Sequence, residues 1–405
     1  MIQSIAMDEF DVVVVGGGPA GSSAAYAAAQ RGLRTALIER EESIAHSVRT
    51  SGVTWMESVR EFGIPERCYN PIRNYGFCSP ENSVKVCDET PRAAVLDVRK
   101  TYRFLSDLAV RHGAELYLAT RVTGVLQEQG RICGVSADSA DGRQEFRSKM
   151  VIDASGFGSV IARSMSLVDR WRRFGAGAEW EAQVENLQSD TWWLMVGQIY
   201  SPAGYAWIFP VGSNRARIGV GIGRPESTVD PIKRLQELMD GRIGPIADLG
   251  RIEPIEFHYG LIPNEGLARR TVYDGLILVG DSAGQANPLV LEGIRYAIRF
   301  GRVAGQVAAD AIHTGDTSRR SLEPYEKRWR KEIQSKVRAA ARVQSRWIHL
   351  TDRQWDQELD IIRELAVDEF MDFIRADFGL SDAVKLAARH PGMAVKQLFG
   401  MARYR

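Results

Sequence analysis

Two glycine-bearing turns, each placed directly after a run of branched apolar residues, carry the clearest chemistry in the 405-residue chain. The first, Gly16-Gly17-Gly18-Pro19-Ala20-Gly21, fits G-x-G-x-x-G and follows the β-branched run Asp11-Val-Val-Val-Val15. In such a turn Gly16 permits the tight bend, Gly18 lets backbone approach a pyrophosphate, and Gly21 allows the next helix to pack close. Pro19 and Ala20 lie in the turn just before that helix, whose N-terminus faces the phosphate charge. Glu39, with Arg40 beside it, ends the second strand, where a carboxylate is needed to accept hydrogen bonds from ribose hydroxyls. Strand, turn, helix and acid together point to a bound dinucleotide rather than an empty Rossmann-like unit, and leave NAD or FAD open.

The second turn decides between them. Gly275-Leu-Ile-Leu-Val-Gly-Asp281 reads as a buried strand delivering Asp281 to a loop, followed by a helix from Glu292 onward with Gly293 and Ile294 in its first turn. In a flavin site such an aspartate bonds the ribityl chain, and the helix N-terminus points at the isoalloxazine N1/C2 edge, where negative charge collects on reduction. An NAD dehydrogenase has no need of this second visit. Here the sequence resembles the hydroxylase-type branch of the glutathione-reductase-like FAD superfamily, whose second motif reads G-D-A-A-G-x-x-N-P; Ser282 replaces the first alanine. Val98-Arg99 with Phe104 and Leu105 is similar to that branch's D-R-x-x-F-x-x-x-L stretch, which implies Arg99 on the FAD phosphates; otherwise Arg99 caps or solvates a helix. Asp153-Ala-Ser-Gly156-Phe-Gly-Ser159 resembles D-A-x-G-x-x-S, with Arg163 following.

These residues need a framework of α/β class. The spacing predicts a helix from Ser22 to Arg31, a strand from Leu33 to Ile38, and short strands with turns between Ala114 and Ser148, where backbone near Val122 meets the adenine. The expected organisation is a Rossmann-type FAD-binding domain formed by residues 1–165 and 271–320. An antiparallel-sheet substrate domain spans 166–270, and a C-terminal helical region 321–405.

Within the middle domain, Pro202-Ala-Gly-Tyr205-Ala-Trp207-Ile-Phe209-Pro210 puts Tyr205, Trp207 and Phe209 on one face of a strand. Gly219-Val-Gly221 ends the next strand, where missing side chains allow a ligand or another backbone to come close. A stripe of rings at this spacing also suits an ordinary core. The pattern P-x-x-Y-x-W-x-F-P followed by G-x-G resembles the substrate-domain signature of the geranylgeranyl reductase family. That resemblance covers nearly the whole chain, including Ala387-Ala-Arg-His-Pro391 near the end. It implies an aromatic tunnel holding a hydrophobic prenyl chain against reduced FAD, with hydride delivered from N5 to a carbon–carbon double bond. Tyr205 is then the candidate proton donor, Thr50 or Ser51 the candidate holder of a water, and Tyr205, Trp207, Phe209, Gly219 and Gly221 the candidate substrate contacts. Thr50 stands where the family often carries a cysteine. Flavin-dependent halogenases carry a related W-x-W-x-I-P strand, so a monooxygenase or halogenase acting on a small organic substrate is the alternative. No second nucleotide fold is visible. Reducing equivalents must therefore come from a transient visit by NAD(P)H or from a ferredoxin-like electron-transfer protein.

Bulk properties agree with a globular enzyme: apolar residues make up 44% and charged ones 25%, and 52 basic residues balance 51 acidic ones, which gives no field to draw nucleic acid. With no apolar leader before the first strand, the expected compartment is the cytoplasm. The four cysteines, Cys68, Cys78, Cys87 and Cys133, lack metal or disulfide spacing, so no metal is expected, though Cys78 is a candidate cavity residue. The basic stretch Lys327 to Arg346, with Tyr325, Trp329, Ile333, Val337 and Trp347 near helical spacing, suits peripheral contact with an anionic membrane. It equally suits packing against the acidic stretch Asp352 to Asp377.

Overall fold

A computed structural model describes residues 7–378 and residue 389. The run Asp11–Val15 lies in the strand Met7–Val15, and its two faces serve two cores. Val12 and Val14 pack among helices, while Val13 and Val15 pack among Ile38, Val122, Phe146 and Ile161. A strand with both faces covered has no polar side to spare, which is why the sequence shows no alternation there.

Around it an eight-stranded sheet runs in the order Val272–Tyr273, Leu276–Leu278, Gly142–Asp153, Met7–Val15, Thr35–Ile38, Glu115–Tyr117, with Arg131–Ser139 and Arg121–Glu128 hairpinned onto Gly142–Asp153. Leu276–Leu278 pairs in parallel with Val151–Asp153, which in turn pairs with Val13–Val15, so the two glycine turns leave the same end of the sheet. The helix Pro19–Ala29 follows the first turn, and Ile294–His313 follows the second. These two helices press together because Gly301 and Gly305 lack side chains: a Cβ at either would lie 2.4 Å or 2.3 Å from the carbonyl oxygens of Ala20 and Ala24.

The second sheet has seven strands, ordered Ile252–Pro263, Phe174–Val184, Arg215–Arg224, Tyr205–Pro210, Thr191–Met195, Asn74–Cys78, Ser83–Cys87. Its last two strands come from the segment assigned by sequence to the FAD domain. Asn74–Cys78 joins Thr191–Met195 in parallel, so the sheet is antiparallel except at that pair. As expected, Trp207 and Phe209 face one core and Ala206 and Ile208 the other.

Tyr325, Trp329, Ile333 and Val337 of the helix Arg319–Trp347 are buried against the flavin-domain core. Trp347 packs with Trp355 of the helix Asp352–Arg363, and Arg346 pairs with Glu358. The apolar side of the basic helix is thus spent on protein packing, the second of the two uses the sequence left open, and its exposed bases remain on the surface. Among the described residues no helix is long and apolar enough to cross one, and no cluster of metal-ligating side chains occurs. Of the stretch 387–391, all but residue 389 lies outside the described residues.

Candidate active site

Both glycine turns open on one cavity of about 960 Å³. Its polar end is made by the first turn. Gly16 takes φ +105° and sits so close to the crossing segment that a Cβ would meet the Ala154 carbonyl oxygen at 2.4 Å. A Cβ at Gly21 would lie 1.8 Å from the Gly16 carbonyl oxygen, while one at Gly18 would meet nothing within 4 Å. Gly16 and Gly21 are therefore locked by protein contacts, and Gly18 faces open space. The helix they start has no side-chain cap, which leaves its first N–H groups facing the cavity with Pro19 and Ala20. Glu39 accepts the N–H of Gly17 at 2.7 Å and that of Glu41 at 3.0 Å, and lies with Arg40 and Val122 on the wall. A cradle of uncapped N–H groups beside a fixed carboxylate is a fit for a dinucleotide pyrophosphate and ribose.

Asp281, Gly293 and Ile294 line the cavity opposite. The N-cap of the helix starting at Ile294 is Gly293, which brings no side chain, while Glu292 Oε1 accepts the Arg295 N–H at 3.1 Å. Burial pushes the Asp281 carboxyl up to about 6. A carboxyl whose folded value is raised favours the folded state only when protonated, so Asp281 costs stability above about pH 6, and the cost fades as pH falls toward the ordinary aspartate range. We expect Asp281→Asn to stabilise the cofactor-free protein by on the order of 2 kcal/mol at pH 8 and by nothing at pH 3.5. Thermal melts of both proteins across that range check the sign.

Thr50 and Ser51 lie on the cavity wall in a loop held from below. Arg217, almost fully buried, donates to the carbonyl oxygens of Ser51 at 2.7 Å and Leu96 at 3.0 Å and pairs with Glu181 at 3.2 Å. Removing such a partner from a buried network costs about 3–5 kcal/mol, which marks Arg217 as the anchor of this loop.

The apolar end is walled by Trp55, Phe77, Trp192, Trp207, Phe209 and Trp347, drawn from three segments distant in sequence. Tyr205 also lines it, but its hydroxyl donates to the Val290 carbonyl at 2.5 Å, and burial pushes the phenol well above its ordinary value. Gly221 lines the cavity; Gly219 does not. The space above Gly219 is taken by the Trp207 ring, since a Cβ there would lie 2.5 Å from the indole and 2.6 Å from the Glu179 Cβ. The close approach expected at Gly219 is real, but a side chain makes it, not a ligand.

Two other expectations meet different surroundings. Arg99, in the helix Val98–Arg111, pairs with Glu256 and donates to the His46 carbonyl at 3.0 Å, away from the lining. The cap of that helix is Asp97, which accepts from the Lys100 N–H at 3.1 Å. Cys78 is buried on the sheet face opposite the cavity, where burial pushes its thiol up to about 12. Sequence reasoning missed Glu179 and His258, both on the wall. An acid inside the apolar run Phe174-Gly-Ala-Gly-Ala-Glu-Trp180 was the available signal for the first.

Comparison with known proteins agrees with this arrangement. Residues 11–186 match a family described as FAD dependent oxidoreductase, and residues 178–261 match the geranylgeranyl reductase catalytic domain. The chain is 36% identical over 340 residues to digeranylgeranylglycerophospholipid reductase 1 of Methanopyrus kandleri, covering 83% of this chain and 90% of that one. Identity to digeranylgeranylglycerophospholipid reductase of Methanocaldococcus jannaschii is 32%, covering 91% and 93%. A geranylgeranyl bacteriochlorophyll reductase-like crystal structure from Thermoplasma acidophilum superposes with TM-score 0.86 at 26% identity over 97% of this chain and 99% of that one. The flavin-dependent brominase Bmp2, at TM-score 0.69 and 18% identity over 96% of this chain and 100% of that one, shares the fold. By sequence, architecture and site, the chain belongs to the geranylgeranyl reductase family of FAD-dependent oxidoreductases.

Proposed function

We propose that the protein saturates carbon–carbon double bonds in the geranylgeranyl chains of a glycerophospholipid. The observation that carries this reading is one continuous cavity whose polar end suits a flavin dinucleotide and whose other end is walled by rings. The curated relatives carry names of reductases acting on such a lipid. Gly16, Gly18, Pro19, Ala20 and Gly21 form the pyrophosphate cradle, Glu39 and Arg40 hold the ribose end, and Val122 backs the adenine. Asp281, Gly293 and Ile294 hold the isoalloxazine side. Arg99 would join the phosphates only by leaving Glu256. Bound there, FAD in its reduced form supplies a hydride equivalent.

The protein's part is to exclude water, hold the chain and deliver a proton. Trp207, Phe209 and Gly221 position the prenyl chain, and Gly219 acts through Trp207. Thr50 and Ser51, fixed by Arg217, hold a water beside the flavin. Electrons arrive from NAD(P)H or a ferredoxin-like protein. Contact with a lipid surface falls to the exposed bases Lys327, Lys331, Arg338 and Arg342, because the apolar side of their helix is buried. The halogenase alternative needs a catalytic lysine, and among the described residues no lysine lines the cavity.

Incubating FAD-loaded protein with dithionite and a digeranylgeranyl glycerophospholipid should yield products heavier by two hydrogens per bond reduced, read by mass spectrometry. Unchanged lipid, with oxygenated or halogenated small molecules formed under air instead, would remove the reading.

A further inference from the structure

Saturating an alkene takes one hydride equivalent and one proton, and an isolated double bond cannot accept the first without the second. Tyr205 is a poor source, since its hydroxyl is committed to the Val290 carbonyl. Of the other acids lining the cavity, Glu39, Glu41 and Asp281 belong to the cofactor end and Glu292 is paired with Arg295 at 2.8 Å, which leaves Glu179, 3% exposed, on the strand Phe174–Val184. It faces His258 directly across the strand pair, and the two side chains meet with Oε1 and Nδ1 2.9 Å apart. Its other oxygen, Oε2, accepts the Trp207 indole N–H at 3.0 Å, reached over Gly219. The carboxyl is thereby oriented, with one oxygen tied to the aromatic wall and one to the imidazole.

His258 is also 3% exposed and lines the cavity. Its Nε2 is buried without a hydrogen-bond partner and lies 3.4 Å from Oε2 of Glu256, whose side chain is 37% exposed. The charged groups facing the pair are Arg217, 3.8 Å from Glu179 Oε1, Glu181 behind Arg217, and Arg99 on Glu256. The Arg99 guanidinium holds the Glu256 carboxyl at about 2, so Glu256 is a fixed anion at the solvent edge rather than a proton carrier. A buried imidazole between a wet anion and a buried acid is the arrangement of a proton relay.

We propose that Glu179 is the acid that protonates the alkene, and that His258 reloads it from water at the Glu256 edge. The proposal rests on the prenyl-reductase reading. In the step, the Glu179 O–H bond breaks and a C–H bond forms at one alkene carbon. A hydride equivalent from reduced flavin forms the C–H bond at the other, so the alkene gains two electrons and two hydrogens. The Glu179 carboxylate then takes the proton on His258 Nδ1, His258 takes one from solvent hydronium at Nε2, and the ring turns over about Cβ–Cγ to bring that N–H back to Glu179 before the next cycle.

The test uses FAD-loaded, dithionite-reduced protein mixed anaerobically with digeranylgeranyl glycerophospholipid. Glu179→Gln keeps shape and the acceptor for Trp207 but has no acidic proton, and should slow lipid-dependent reoxidation about 100-fold or more. His258→Gln should leave the first reoxidation close to wild type and slow repeated turnover in excess dithionite about 10-fold. FAD content reports folding of each variant. A second readout needs no flavin: in spectra of ¹⁵N-histidine-labelled cofactor-free protein, the signal lost in His258→Gln should move in Glu179→Gln, because Nδ1 loses its carboxyl partner. Wild-type reoxidation rate and isotope effect in Glu179→Gln, or a His258 signal unmoved by that substitution, would overturn the relay while leaving the reductase reading intact. A wild-type protein that no prenyl lipid reoxidises removes that reading, and the relay with it.

Discussion

Gly16→Ala should give a folded protein that is nearly colourless, with FAD affinity reduced on the order of 100-fold, about 3 kcal/mol. Two costs add at this residue. Its φ of +105° is strained for any side chain, and the new Cβ would stand 2.4 Å from the Ala154 carbonyl oxygen, which belongs to the crossing segment and cannot step aside cheaply. The turn must shift, and with it every N–H group that faces the phosphates. The change is confined to the loop, because the strand before it and the helix after it keep their own buried contacts. Equilibrium dialysis against FAD, with circular dichroism as the check on folding, measures it. Affinity within a factor of three of wild type would contradict the cradle.

Gly219→Ala acts at the other end of the cavity and should separate the two functions. Its Cβ would overlap the Trp207 ring at 2.5 Å and the Glu179 Cβ at 2.6 Å, so the indole must leave its place between the strands. Bound flavin should be unaffected, because Gly219 lies outside the cavity lining. Turnover of a prenyl lipid should fall about 100-fold, the usual result of moving a positioning group by about 1 Å. Tryptophan emission should shift as Trp207 loses its Glu179 acceptor. Full FAD content with lost turnover is the expected pair of results; loss of both together would mean that the two ends of the site are not independent.

What was readable in the sequence was local. The strand–glycine–helix unit at residues 11–31 is short in sequence and self-contained, and Met7–Val15, Pro19–Ala29 and Thr35–Ile38 form within a few residues of the expected bounds. The stripe Tyr205, Trp207, Phe209 follows from strand periodicity alone. Asn74–Cys78 and Ser83–Cys87 escaped because their membership of the second sheet is decided by a parallel pairing with Thr191–Met195, more than a hundred residues on, and nothing near residue 75 announces it. The pairing of Arg99 with Glu256 was equally out of reach, since it joins the helix Val98–Arg111 to the distant strand Ile252–Pro263. Gly219 was read correctly as a place of close approach but not for what approaches, since the register that sets it opposite both Trp207 and Glu179 is a tertiary fact. In the helix Arg319–Trp347 the sequence left two uses for one apolar side, and packing against the flavin-domain core settled it.

The central claim is that a single flavin, held by two distant turns, faces a ring-walled channel that takes a prenyl chain. Its most direct test is one anaerobic turnover: reduced, FAD-loaded protein mixed with digeranylgeranyl glycerophospholipid, with the flavin spectrum followed in time. The oxidised flavin spectrum should return without oxygen, in proportion to the lipid added and to the double bonds lost from it. Flavin that stays reduced until air is admitted would contradict the account.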